Sequence, residues 1–405
     1  MTAQEREEKM SERIFITGAN RTAVGRMGGT LSGIPAKELA EITIKEALKR
    51  SGLKPEDIDF VYFGNVLQAG SGQNVARQAS VNAGIPVTTP AVTLNIICGS
   101  GLEAVNTAAR MIKAGDADVV LCGGTENMSM APYLLTKGRY GYRMGDATIL
   151  DSMTHDALTD AFHEYHMGIT AENIAERWHY SREDLDRFAC ESQNRAEAAQ
   201  KEGRFQDEIV PVEVKQKKET VVFDQDEGIR YGQTVEQLAK LRPAFKKDGV
   251  VTAGNSSGIN DGAACMILIS ESKMKELGIQ PQVEYVAGAV GGVDPAIMGT
   301  GPIEATKRLM KKMNCDIKAF DLVEANEAFA AQSLVCQDEL GLDPAITNVN
   351  GGAIAIGHPV GCSGSRILVT LIYEFLRRKE AKQALATLCV GGGMGVATCI
   401  RKVEE

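Results

Sequence analysis

The feature that most constrains this chain is a unit written twice. Residues Ala91-Val-Thr-Leu-Asn-Ile-Ile97 read as a strand, Cys98-Gly-Ser-Gly101 as a glycine-rich turn, Leu102 to Ala114 as an amphipathic helix, and Val119-Val-Leu-Cys122 as a second strand running into Gly123-Gly124. Towards the other end, Thr347-Asn-Val-Asn-Gly-Gly352 leads through Gly357-His358-Pro-Val-Gly-Cys-Ser-Gly364 into an apolar helix over 365–377. The strand Ala384-Leu-Ala-Thr-Leu-Cys389 and then Val-Gly-Gly-Gly-Met-Gly395 follow. The preceding segments echo each other too. Ile58-Asp-Phe-Val-Tyr-Phe-Gly-Asn65 and Phe320-Asp-Leu-Val-Glu-Ala-Asn326 each come after a Lys-rich amphipathic stretch. Strands alternating with helices predict an α/β fold. A unit that occurs twice, at a period far too long for a solenoid, predicts two duplicated halves packed face to face.

Between Met128 and Asn255 this rhythm breaks down. Four of the five histidines (His155, His163, His166, His179) and the single tryptophan, Trp178, lie there. A helical pattern covers Ile169 to Arg177 with Thr170 as a cap, and a charged one covers about Ser181 to Gly203, with Ser181-Arg-Glu-Asp184 resembling a capping box. We take 128–249 as an inserted loop domain. Gly262-Ala-Ala-Cys-Met-Ile-Leu-Ile-Ser270 is then a strand that rejoins the first half. The halves become 13–127, completed by 250–275, and 276–402, after a disordered tail over 1–12. His163 and His166 have a spacing that could hold zinc, but no Cys or acidic partners complete a zinc pattern, so no metal is expected.

At 405 residues, 44% hydrophobic and 24% charged, the chain can bury two cores. It has no apolar stretch of membrane-spanning length and no secretory or transit signal, so a cytoplasmic protein is expected. Nine cysteines without paired spacings fit a reducing compartment. A formal charge of −9 argues against nucleic acid as a partner. A local basic patch is still available in Arg230, Lys240, Arg242, Lys246 and Lys247.

Cys98 stands where the apolar run stops and a helix begins. A thiol at the first turn of a helix meets free N–H groups and the positive end of the dipole, which favour thiolate and so a nucleophile. The alternative is a small buried hydrophobe.

Four blocks carry a resemblance to a known family: Asn95-Ile-Ile-Cys98-Gly-Ser-Gly, Asn326-Glu-Ala-Phe-Ala330, Gly357-His358-Pro, and Cys389-Val-Gly-Gly-Gly-Met-Gly. In this order and at these distances they resemble the thiolases, most closely the bacterial-type acetyl-CoA acetyltransferases, over about Arg13 to Lys402. The resemblance implies a thiolase-like fold of duplicated βαβαβ halves, with stacked mixed sheets and helices between and outside. It further implies condensation of two acetyl-CoA to acetoacetyl-CoA plus CoA, with coenzyme A as substrate and product and no cofactor. Cys98 would carry the acetyl group, with His358 as its base, and Cys389 would move the α-proton. One oxyanion hole would use His358 and a water held by Asn326, the other the N–H groups of Cys98 and Gly391. Coenzyme contacts would fall on Leu158, His166, Arg230, Ser257, Ala328 and Phe329, and the acyl pocket on Met167 and Met298. The inserted domain would hold coenzyme A and help form a homotetramer.

Three other readings stay open on sequence. One is a degradative 3-ketoacyl-CoA thiolase of broader chain length. A second is a ketoacyl-carrier-protein synthase, although such enzymes use two histidines where this chain has His358 and Cys389. The third is a non-catalytic acyl-CoA-binding protein of the same fold.

Overall fold

The computed structural model describes residues 12–216 and 219–403. The expected tail over 1–12 lies outside these residues except for Glu12, whose carboxylate accepts the Ser272 N–H at 2.6 Å.

The first half contributes β1 (Ile14–Thr22), α1 (Ala36–Ser51), β2 (Phe60–Gly64), α2 (Val75–Asn82), β3 (Ala91–Leu94), α3 (Ser100–Ala114) and β4 (Val119–Asn127). In the inserted stretch lie α4 (Met167–Trp178) and α5 (Arg182–Lys201), and β5 (Asn260–Ser270) follows it. The second half supplies β6 (Val283–Gly292), α6 (Gly301–Met313), β7 (Leu322–Ala325), α7 (Ala330–Leu340), α8 (Ser363–Arg377), β8 (Gln383–Val390) and β9 (Met394–Arg401).

The sheet runs β7-β8-β9-β6-β1-β5-β4-β2-β3, with two short strands beside it. Within the first half β3, β2 and β4 are parallel and β5 and β1 are added antiparallel. The second half repeats this: β7 and β8 are parallel, then β9 and β6 antiparallel, and a single bridge from Val323 to Thr347 stands where the first half has β3. The duplication read from the sequence is therefore physical. One detail differs. The two halves do not keep separate sheets: β1 pairs with β6 antiparallel through Ile14↔Tyr285, Phe15↔Glu284 and Ile16↔Val283, which makes one continuous mixed sheet.

Helices α3 and α8, the repeated glycine-led helices, lie against each other and touch strands of both halves. Glycine is required at this crossing. A Cβ on Gly364 would sit 2.4 Å from the Leu102 nitrogen, and one on Gly101 would sit 2.8 Å from the Ser365 nitrogen. The helix starts can meet only because both carry glycine, and this brings the Cys98 turn next to the His358 turn.

In the second half β8 turns directly into β9 through Gly391-Gly-Gly393, with φ +83° at both Gly392 and Gly393. In the first half, residues 128–259 occupy the equivalent place between β4 and β5. A buried charge cluster pins this stretch to the core. Arg21 on β1 forks onto Asp226 at 2.7 and 2.9 Å and bonds Glu208 at 2.7 Å. Within it, the Ser181–Asp184 capping box forms as expected. The expected cap at Thr170 does not: α4 starts earlier, and His166 caps it, its Nδ1 accepting the Gly168 N–H at 3.0 Å.

Candidate active site

Strand β3 ends at Leu94, three residues before the expected stop. The chain then turns tightly, with Ile97 at φ +46°. The Ser100 hydroxyl fixes the turn by accepting the Ile96 N–H at 2.9 Å and donating to the Ile97 carbonyl at 2.6 Å. Cys98 therefore precedes the N-cap, Gly99, instead of sitting inside the first helical turn. It is also buried. Burial pushes its thiol up to about 11, against the pull of the backbone N–H groups of Gly391 and of Cys98 itself. The expectation of a helix-favoured thiolate is corrected: desolvation outweighs the helix end, and at rest Cys98 is a thiol. The N–H groups of Cys98 and Gly391, the two donors expected of an oxyanion hole, thus both lie near enough to the sulfur to act on it.

His358 follows Gly357, whose φ of +121° only glycine adopts readily. Its backbone N–H is held by the Asn260 side chain at 2.9 Å. Burial, with the nearby Arg366 guanidinium, lowers its imidazole to about 3, so the ring is neutral at physiological pH. Its Nδ1 faces the Ser363 hydroxyl, and Asn326 Nδ2 lies 3.5 Å from the same nitrogen. His358 Nε2 and Asn326 Oδ1 are buried without a partner. Two such atoms in one place mark a site built to receive an oxygen or a proton.

Cys389 is fully buried near the end of β8, opposite Gly395, which leaves its face of the hairpin without a cross-strand side chain. Its thiol is held up by burial and then by Cys98, so the two sulfurs are close enough for the charge on one to oppose the charge on the other. Cys122 does not take the corresponding place in the first half: it sits mid-strand opposite Met266, and the registers put Glu126, opposite Gly262, where the second half has Cys389. A Cβ on Gly391 would press on Ile97 at 3.2 Å and touch the Met167 sulfur at 3.7 Å.

A cavity of about 360 Å³ opens over these groups. Of the residues expected from sequence, Cys98, His358, Leu158, His166, Met167, Arg230, Ser257, Met298, Ala328 and Phe329 line it, while Asn326, Cys389 and Gly391 stand immediately behind that wall. Phe245 was missed. Its ring stacks on His166 at 4.6 Å and meets Phe329 edge-on at 6.1 Å. The available signal was an aromatic at the end of the basic stretch, Pro243-Ala-Phe-Lys246. Of the five basic residues in that stretch only Arg230 lines the cavity, and Lys246 instead pairs with Glu176 at 3.0 Å. Nor do the histidines gather a metal: among the described residues no group of three or more His, Cys, Asp or Glu could hold one. His163 is paired with Asp160 at 2.8 Å.

The family model described as the thiolase N-terminal domain matches residues 14–272, and that of the thiolase C-terminal domain matches 279–402. The chain belongs to the thiolase family. Among its relatives, an acetyl-CoA acetyltransferase of Chromobacterium violaceum is 55% identical over 390 residues, spanning 96% of this thiolase and 99% of the relative. One from Pseudomonas aeruginosa shares the same identity and coverage. A crystal structure of the Bacillus anthracis acetyl-CoA acetyltransferase superposes with a TM-score of 0.94 at 44% identity, covering 97% and 99% of the two chains. Human mitochondrial 3-ketoacyl-CoA thiolase in complex with CoA gives 0.93 at 44% identity, covering 97% and 98%.

Proposed function

We propose that this thiolase is an acetyl-CoA C-acetyltransferase, joining two acetyl-CoA into acetoacetyl-CoA and CoA, reversibly. The observation that carries the reading is the meeting, at one cavity, of a buried thiol under two N–H donors, a neutral imidazole with a bare Nε2, and a second thiol behind them. Near-full-length relatives at 52–55% identity bearing that activity's name support it.

The proton inventory closes with these groups. Cys98 attacks the thioester carbonyl while its proton passes to His358 Nε2. With the thiol near 11 and the imidazole near 3, free transfer in advance is strongly uphill, so transfer and C–S bond formation proceed together. The oxyanion rests on the N–H groups of Cys98 and Gly391. CoA leaves with the proton of Cys389, which becomes the thiolate base. Once Cys98 is acetylated it can no longer ionise, so it cannot compete with Cys389 for the negative charge. Cys389 then takes the α-proton of the second acetyl-CoA. The enolate oxygen accepts from His358 Nε2–H and from a water at Asn326, and its carbon attacks acetyl-Cys98. The departing Cys98 sulfur recovers its proton from His358.

Leu158, His166, Arg230, Ser257, Ala328 and Phe329 would hold the coenzyme, Arg230 through phosphate, while buried Met167 and Met298 close the acyl end to long chains. The reaction needs no further cofactor. We read 13–127 with 250–275 and 276–402 as the two halves, and 128–249 as the inserted domain. We read the enzyme as a cytoplasmic homotetramer. Among the described residues no helix is long and apolar enough to cross a membrane. Exposed Tyr133, Leu135, Tyr140, Met144 and Ile149 stand among exposed charges on one segment, a mix of apolar and charged side chains that supports its use in subunit contact.

Radiolabelled acetyl-CoA tests the reading. Label should sit on the Cys98 peptide, and Cys389→Ala should still be labelled, though slowly, yet neither condense nor exchange the α-proton with deuterated water. Label on Cys389 would reverse the roles, and equal thiolysis of acetoacetyl-CoA and a long-chain ketoacyl-CoA would favour the broader 3-ketoacyl-CoA activity.

A further inference from the structure

We infer that Ser363 is a positioning residue that fixes the tautomer of His358, holding the proton on Nδ1 so that Nε2 presents a bare lone pair to the Cys98 thiol. This rests on the proposed role of His358 as base.

Ser363 is the first residue of α8 and is fully buried. Its hydroxyl donates to the Pro359 carbonyl at 2.9 Å, one helical turn back. A hydroxyl has one proton, and that bond uses it. Toward the imidazole, Ser363 Oγ can then only accept, and His358 Nδ1 lies 2.5 Å away. Nδ1 must therefore be the protonated nitrogen. Asn326 Nδ2 would favour the opposite tautomer, but at 3.5 Å it stands beyond the about 2.7–3.2 Å of a well-formed N–H bond. Nε2 is buried and unpartnered, as a waiting acceptor should be. The Gly357 backbone and the Asn260 clamp fix where the ring stands, and Ser363 fixes which nitrogen can act.

The arrangement also serves the second half of the cycle. After Nε2 has taken the Cys98 proton, Nδ1–H remains on Ser363 Oγ, and the same Nε2, now an N–H, donates to the enolate oxygen. One nitrogen is acceptor and then donor without ring rotation.

Neutron diffraction from crystals of the unliganded enzyme exchanged into deuterated water tests the tautomer directly, whatever the activity. Deuterium on Nδ1 and none on Nε2 is the expected result, and deuterium on Nε2 alone overturns the inference. In solution, Ser363→Ala frees Nδ1 from its acceptor and lets the ring take the Nε2–H form. Acetylation of Cys98 in a single turnover should slow by tenfold or more with KM little changed, while Ser363→Thr, which keeps the hydroxyl, restores most of the rate. If Ser363→Ala folds and acetylates at the normal rate, the inference fails. If it misfolds, the neutron result on the unsubstituted enzyme still decides. Failure to label Cys98 in the unsubstituted enzyme would instead strike the proposed function.

Discussion

Each of the three side chains proposed to react is in its uncharged form, and burial is the cause. For Cys98 this predicts an alkylation profile without a plateau near neutrality: the iodoacetamide rate should keep climbing towards pH 11. A rate that levels off below pH 8 would show that the helix end prevails after all. His358 gives a second prediction, on stability. Its folded pKa of about 3 lies below the ordinary value near 6.5, so between these limits the unfolded chain binds the extra proton. The contribution of His358 is thus intact above pH 6.5 and is lost as pH falls, at up to about 1.4 kcal/mol per pH unit. Urea midpoints at pH 5 and 7.5 should converge in His358→Asn relative to the unsubstituted enzyme, and an unchanged difference would contradict the assignment. The identity of these residues was legible in sequence, because four short blocks carry them. Their ionisation was not. The dipole argument for Cys98 used only neighbours along the chain, whereas its pKa is set by residues that fold over it, from Gly391 to Glu126.

At the scale of elements, periodicity located the helices and strands of both halves, and the errors gathered where side chains replace backbone partners. Strand β3 stops early because the Ser100 hydroxyl takes the Ile96 N–H, and α4 starts early because a histidine, seldom a cap, takes the Gly168 N–H. Gly168 illustrates how one atom tunes this region: a Cβ there would fall 2.2 Å from the Phe245 ring, which shares the His166 stack. Gly168→Ala should push Phe245 out of the cavity proposed to hold the coenzyme, raising KM for acetoacetyl-CoA several-fold with a smaller effect on kcat. A changed kcat at constant KM would place Phe245 elsewhere in the cycle. The α3–α8 crossing makes the companion prediction. Gly364→Ala overpacks it and should cost roughly 1–3 kcal/mol, read from the urea midpoint, together with slower acetylation as the Cys98 and His358 turns separate.

For the whole molecule, the duplication was readable because both copies keep the same order of strand, glycine turn and helix. The seam between them was not, since antiparallel pairing of β1 with β6 leaves no mark in a period-two pattern. The proposed assembly makes its prediction at the surface. Tyr140 and Met144 are 92% and 97% exposed in a single chain, and replacing both with serine should lower the mass seen by analytical ultracentrifugation without lowering the acetylation rate of Cys98. An unchanged mass would move the subunit contact to another face. The seam also determines the order in which the protein can be completed. Strand β1 is made well before its two long neighbours, β5 and β6, residues 260–270 and 283–292. Until the ribosome has passed both, Phe15 and Ile16 are apolar residues on a strand with two open edges, the kind of surface on which nascent chains stick to one another. The second half, whose partners are all close in sequence, closes soon after it is made. Newly made chains should therefore need protection by a holdase until both neighbours are made, and truncations ending before residue 260 should aggregate, whereas chains that run past β6 can close on β1.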